Sequence, residues 1–126
     1  MRNTIISIVL FLALFISIFF ADKSLTSTCN KVATKCEEIE ILLNNKDNDK
    51  AYTEAVDLLR LMEKESSISS MYVNHVDYDF LIVEVLRLSL YIKEKDYSES
   101  LASLHVLRYG ARNMKEMQTP ALKNLL

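Results

Sequence analysis

Apolar residues fall into successive patterned stretches along the chain, and each predicts an element. The first is solid: residues 5–21, Ile-Ile-Ser-Ile-Val-Leu-Phe-Leu-Ala-Leu-Phe-Ile-Ser-Ile-Phe-Phe-Ala, hold no charge and no strongly polar group. At 1.5 Å per residue this run spans about 25 Å as a helix, near the lower limit for a bilayer's hydrocarbon core. From Leu25 the pattern opens into Leu25, Cys29, Val32, Cys36, Ile39 and Leu43, a stripe along one face of an amphipathic helix. It stops at Asn44-Asn45-Lys46-Asp47-Asn48-Asp49, whose short polar side chains favour turns and N-caps. A second helix carries Ala51, Tyr52, Ala55, Leu58, Leu59 and Met62, and Ser66-Ser67-Ile68-Ser69-Ser70 after it reads as a loop. A third runs from about Tyr72 to Lys95 and is apolar on much of its circumference from Phe80 to Ile92, as a central bundle helix would be. The fourth begins after Asp96 and uses Leu101, Leu104, Leu107, Ala111 and Met114; Gly110 inside it marks a close helix crossing. Thr119-Pro120 has the form of an N-cap and first helical position, opening a last short turn through Leu122 and Leu125.

The predicted fold is therefore all-α: an N-terminal transmembrane helix within residues 1–21, then an antiparallel bundle of about four helices over residues 22–126. An internal echo accompanies it. Lys46-Asp47-x-x-x-Ala51-Tyr52-x-x-Ala55-x-x-Leu58 lies over Lys95-Asp96-x-x-x-Ser100-Leu101-x-x-Leu104-x-x-Leu107 after a shift of 49 residues. Helix pairs of the tetratricopeptide kind are the alternative architecture, although a plain four-helix bundle accounts for the same pattern.

Composition narrows the function. The chain has one glycine, Gly110, and one proline, Pro120. Dinucleotide fingerprints, phosphate-cradling loops and nucleophile elbows each need several glycines, so none can be built here. Lys and Arg number 15 against 17 Asp and Glu, interleaved rather than gathered into a stripe, which excludes nucleic acid as an expected partner. No cofactor and no enzymatic activity are expected.

For the apolar run, an uncleaved anchor is preferred to a cleaved signal segment. Cleavage after Ala21 would place the bulky Phe19 where a small residue is wanted. Lys23, Lys31 and Lys35 on the far side would, by the positive-inside count, keep the domain in the cytoplasm. The order of Arg2, apolar run and polar domain is instead that of an exporting signal, and an extracytoplasmic domain on the cell membrane is the preferred reading.

Candidate chemistry is sparse. Cys29 and Cys36 would lie about 10.5 Å apart along one helix, too far for a disulfide within the chain. Two small seam residues are the plain reading, and an intermolecular bridge in a parallel homodimer is the other. The densest polar cluster is Asn74-His75-Val76-Asp77-Tyr78-Asp79. His75 and Asp79 stand one helical turn apart with Asp77 on a neighbouring face, so His75, Asp77 and Asp79 are candidate metal or ligand groups. Helix capping by Asn74 and Asp77 explains the same residues. His105 reads as a half-buried interface residue.

The string His75-x-Asp77-x-Asp79, followed by Arg87-Leu88-x-x-Tyr91-Ile92-x-x-Lys95-Asp96 and ending in Leu122-Lys123-Asn124-Leu125, resembles domain-of-unknown-function family 4363 of Gram-positive bacteria. The likeness covers most of the chain and is most specific from about His75 to Leu107. Its members usually carry tryptophans before the histidine, where this chain has Met71 and Tyr72. The resemblance implies a small membrane-anchored helical protein working beside a membrane partner, and it implies no known activity. It also selects His75, Asp77, Asp79, Arg87, Tyr91 and Asp96, which on helical geometry would form a structural polar seam down the bundle. The expected function is a membrane-tethered interaction or scaffold module of the cell envelope, partnered by another membrane or envelope protein. A ligand- or metal-sensing domain centred on His75, Asp77 and Asp79 is the alternative.

Overall fold

The computed structural model describes residues 1–69 and 75–125, and their side chains except at 21, 22, 24, 25, 67–69, 75 and 118–125. Four helices make it up: α1 (Arg2–Asn44), α2 (Asn48–Ser69), α3 (His75–Lys93) and α4 (Tyr97–Leu125). Each packs on two neighbours, in the order α1, α2, α3, α4 and back to α1, and the diagonal pairs do not meet among the described residues. Contacts run in opposite directions across every pair. Lys35 meets Glu54 and Lys31 meets Glu65; Arg108 meets Glu40 and Lys115 meets Asn30. The domain is thus an up-down-up-down antiparallel bundle. The α1–α4 contact closes the ring, which a tetratricopeptide solenoid would leave open.

Both turns at the end remote from the N-terminus are built alike. In the first, the Asp47 N–H donates to the Leu42 carbonyl and the Lys46 N–H to that of Leu43; in the second, Asp96 donates to Tyr91 and Lys95 to Ile92. This is the Schellman closure of a helix end, with Lys46 (φ 58°) and Lys95 (φ 59°) in the left-handed conformation usually given to glycine. Each aspartate then caps the next helix. Asp47 Oδ1 accepts from the Lys50 N–H, and Asp96 Oδ1 from the Glu99 N–H. Lys-Asp in the echoed motif is therefore a two-residue device that ends one helix and starts another.

The 49-residue echo extends through the whole core. Val32, Cys36, Ile39 and Leu43 of α1 correspond to Leu81, Val85, Leu88 and Ile92 of α3; Ala51, Ala55, Leu58 and Met62 of α2 correspond to Ser100, Leu104, Leu107 and Ala111 of α4. All sixteen are buried. The bundle consists of two helical hairpins, α1–α2 and α3–α4, related by an approximate two-fold axis along its length.

Several boundaries differ from the sequence expectations. α1 is one helix of 43 residues, about 65 Å long, so the apolar segment and the first bundle helix are continuous. Nothing between Ala21 and Leu25 is a helix breaker, and Asp22 and Ser24 alone do not stop it. The serine-rich segment is helical through Ser69. Ser66 there turns its hydroxyl back to the Glu63 carbonyl at 2.7 Å, absorbing the competition that suggests a loop. The expected start of the third helix at Tyr72 lies outside the described residues, which omit 70–74; among those described α3 runs from His75. α4 runs through Thr119-Pro120 without interruption, so that pair does not open a separate turn. At Gly110 the expected crossing is found: a Cβ there would lie 2.5 Å from Leu81 Cδ2.

Candidate interaction face

Arg2–Phe20 is long and apolar enough to cross a membrane, and none of it is buried against the bundle. Because α1 carries on unbroken into the core, the bundle is an extension of that segment with no linker between them.

The residues singled out from sequence do not converge. Asp77, Asp79, Arg87 and Asp96 are exposed, Tyr91 is half-buried, and the side chain of His75 lies outside the described set. Among the described residues, Asp77, Asp79, Arg87, Tyr91 and Asp96 form no buried polar seam. The reason is rotational: Asp77, Asp79 and Arg87 lie on the solvent side of a helix whose inward stripe is Tyr78, Leu81, Val85, Leu88 and Ile92. Arg87 Nη1 reaches Glu84 Oε2 at 3.4 Å, and Asp96 serves the turn. Among the described residues no three His, Cys, Asp or Glu side chains are grouped to hold a metal ion. His105 is exposed rather than half-buried.

Polar groups that do enter the core are others. Glu84 is buried; its Oε1 accepts from the Ser103 hydroxyl at 2.8 Å. Tyr78 donates its hydroxyl to the Met62 carbonyl at 2.8 Å, linking α3 to α2. Thr28 donates to Glu65, which also holds Lys31. The signal for Glu84 was available: it lies three residues from Leu81 and four from Leu88, on the edge of the inward stripe. Cys29 and Cys36 are free thiols buried in the chain's own core. Burial pushes the Cys29 thiol up to about 11 and the Cys36 thiol up to about 12, the nearby cations Lys115 and Arg108 offsetting only part of this. Cys36 is fully buried and Cys29 is 4% exposed.

The unusual feature is on the outside. Val76, Phe80, Val83 and Leu90 on α3 and Val106, Tyr109 and Met117 on α4 are exposed, with Phe80 at 53%, Val83 at 51% and Tyr109 at 70%. Taking roughly 150–200 Å² for a large apolar side chain, these residues together expose on the order of 600–800 Å², at or above the roughly 300–600 Å² of a typical monomer's largest patch. A groove of about 500 Å³ runs through it, lined by Phe80, Leu81, Val106, Tyr109, Gly110 and Met117 among others.

The other hairpin supplies a control. At the positions 49 residues earlier, Phe80, Val83, Val106 and Tyr109 are replaced by Lys31, Thr34, Asp57 and Arg60, none of them buried, while Leu90 is matched by the exposed Ile41. Its own groove, about 550 Å³, is lined by Lys23, Thr26, Ser27, Asn30, Lys31 and Thr34 among others. One backbone arrangement thus tolerates a polar outer face. The fold does not require the apolar one.

No curated protein and no solved structure matches this chain. The family model described as "Domain of unknown function (DUF4363)" matches residues 19–125, from the end of the apolar segment to the end of α4, and the chain belongs to that family.

Proposed function

We propose that this protein is a membrane-tethered helical interaction module of the cell envelope. The first turns of α1 hold it in the membrane, and the outer face of α3 and α4 receives a protein partner. The observation that carries this reading is the contrast between the two hairpins. Core register is kept through sixteen positions, while Phe80, Val83, Val106 and Tyr109 on one outer face stand where the other has Lys31, Thr34, Asp57 and Arg60. Contiguous apolar surface that the fold does not demand is the mark of an interaction site. The unbroken α1 supports a tethering role, since a rigid helix fixes how the face stands relative to the membrane. An extracytoplasmic position follows the signal-like order of the N-terminus and is part of the proposal.

The test compares equivalent sites in membranes of cells making the full chain. The Val83→Cys and Thr34→Cys variants are each treated with a membrane-permeant maleimide, the native cysteines being buried. The expected result is reaction at least tenfold slower in the Val83→Cys variant than in the Thr34→Cys variant. Equal rates would show that the face is open to water and would overturn the reading.

A further inference from the structure

We infer that the partner on the α3–α4 face is a second copy of this chain, set side by side about a two-fold axis parallel to the bundle. This rests on the interaction reading above and names its occupant. Two chains anchored in one membrane by α1 share an up direction, so their symmetry axis must run along the membrane normal and hence along the helices. Under that axis α3 of one protomer lies against α4 of the other, residues at equal height meeting. Within a protomer, height is fixed by Glu84 opposite Ser103 and Leu81 opposite Gly110. Phe80 then faces the partner's Tyr109, and Val83 the partner's Val106.

Charge is self-complementary in the same arrangement. Arg87, exposed and held by Glu84 of its own chain at 3.4 Å, stands about one turn nearer the membrane than the exposed Glu99, a gap that its long side chain can cross. Each arginine meets the partner's glutamate, twice over, closing the end of the apolar strip away from the membrane. At the other end Asp77 meets the partner's Asn113, both exposed and both lining the groove. An isologous contact requires this pairing of i with j and j with i. The area also fits: about 600–800 Å² of apolar surface is near the roughly 800 Å² per partner of a standard interface.

The experiment uses the purified full chain in lipid nanodiscs or detergent micelles, with mass measured by light scattering. A dimer is expected at micromolar concentration. Val83→Asp should weaken it at least tenfold and Thr34→Asp, at the equivalent site of the polar hairpin, should leave it unchanged. Arg87→Glu and Glu99→Arg should each weaken it, and the two together should restore it. Circular dichroism melts identify any variant that does not fold, a check that Arg87→Glu needs because it takes the cation from the buried Glu84 of its own chain. A monomer, a dimer insensitive to Val83→Asp, or failure of the double exchange to restore association overturns the proposal. A purified monomer whose Val83→Cys variant is nonetheless shielded in cell membranes would assign the face to a different protein, sinking self-association and leaving the interaction reading intact. A purified monomer with an unshielded Val83→Cys variant would remove both.

Discussion

Replacing Lys46 or Lys95 by glycine should stabilise the bundle, although each substitution removes a side chain and adds flexibility. Both lysines hold φ near +60° as the closing residue of a helix end, with backbone hydrogen bonds of about 3 Å fixing them there. For a residue with a Cβ that conformation costs about 1–2 kcal/mol, and glycine relieves it. Against this stands the greater freedom of glycine in the unfolded chain, about 0.4–1 kcal/mol. The balance is a gain of about 0.5–1 kcal/mol per site. The two turns share no backbone hydrogen bond, and the Tyr97 hydroxyl that donates to Asn44 Oδ1 between them involves neither lysine, so the double variant should gain about 1–2 kcal/mol. For a domain of this size that corresponds to a rise in Tm of roughly 4–8 °C. Thermal denaturation of the full chain in micelles, followed by far-ultraviolet circular dichroism, reads it directly. Lys46→Ala is the decisive control, because alanine loses the lysine side chain and keeps the Cβ. If alanine raises Tm as much as glycine, or if glycine lowers it, the left-handed strain is not what limits these turns.

Two further outcomes follow from the core. Tyr78→Phe removes a buried hydroxyl whose bond to the Met62 carbonyl joins the two hairpins; it should cost about 1 kcal/mol in denaturant titration, whereas Tyr109→Phe on the exposed face should cost almost nothing. The buried thiols make stability fall in alkali. Their folded pKa values, about 11 and 12, lie above the ordinary 9.0, so in the window from pH 9 upward the unfolded chain releases protons that the folded chain keeps. This contribution is complete below pH 9 and is lost as pH rises through 11 to 12. Substituting both cysteines by alanine should flatten the decline measured by urea midpoints, and an unchanged slope would contradict the assignment.

How much of this was legible in the sequence depends on what each residue answers to. Buried positions answer to helical period, so the stripes Cys29–Val32–Cys36–Ile39–Leu43 and Ala51–Ala55–Leu58–Met62 could be read before any coordinates. The Lys-Asp turns could be located because Asn and Asp cluster there, but not their geometry, since lysine gives no hint of a left-handed backbone. Helix ends at Ser66–Ser70 and Thr119-Pro120 were not legible: serine can return its hydroxyl to the helix, and a proline near a terminus forfeits only one bond. The polar residues of the family-like motif suggested a seam because they lie near one another along α3. Rotation about that helix places them outward, and Leu88 and Ile92 between them are the members that enter the core. The apolar outer face was visible only as an all-round apolar helix, which equally describes a central one. Only the ring order of the four helices, with α3 at a corner, separates those two meanings.

The duplicated hairpins also explain why each finds the other and not itself. Their two mutual interfaces occupy equivalent positions and are chemically unlike. Between α4 and α1, Arg108 pairs with Glu40 at 2.8 Å; the equivalent pair between α2 and α3 is Leu59 and Ser89. Tyr78 fills the α2–α3 junction against Met62. Its counterpart Cys29 borders a surface cleft of about 140 Å³, with Ala111 and Arg108 on its walls. Two copies of α1–α2 brought together would set Leu59 against Glu40 and leave a carboxylate without its guanidinium, a penalty of a few kcal/mol when such a group is desolvated. Two copies of α3–α4 would face Arg108 with Ser89 and strand the charge in the same way. Even within the hairpins the polarity is exchanged: Lys35 joins Glu38 and Glu54, and at the equivalent positions Glu84 joins Arg87 and Ser103. Core spacing therefore makes the hairpins alike enough to pack, and these few polar positions make them different enough to pack in one order. Among the described residues of the bundle, that leaves the outer face of α3 and α4 as the one large apolar surface that packing between the hairpins does not account for.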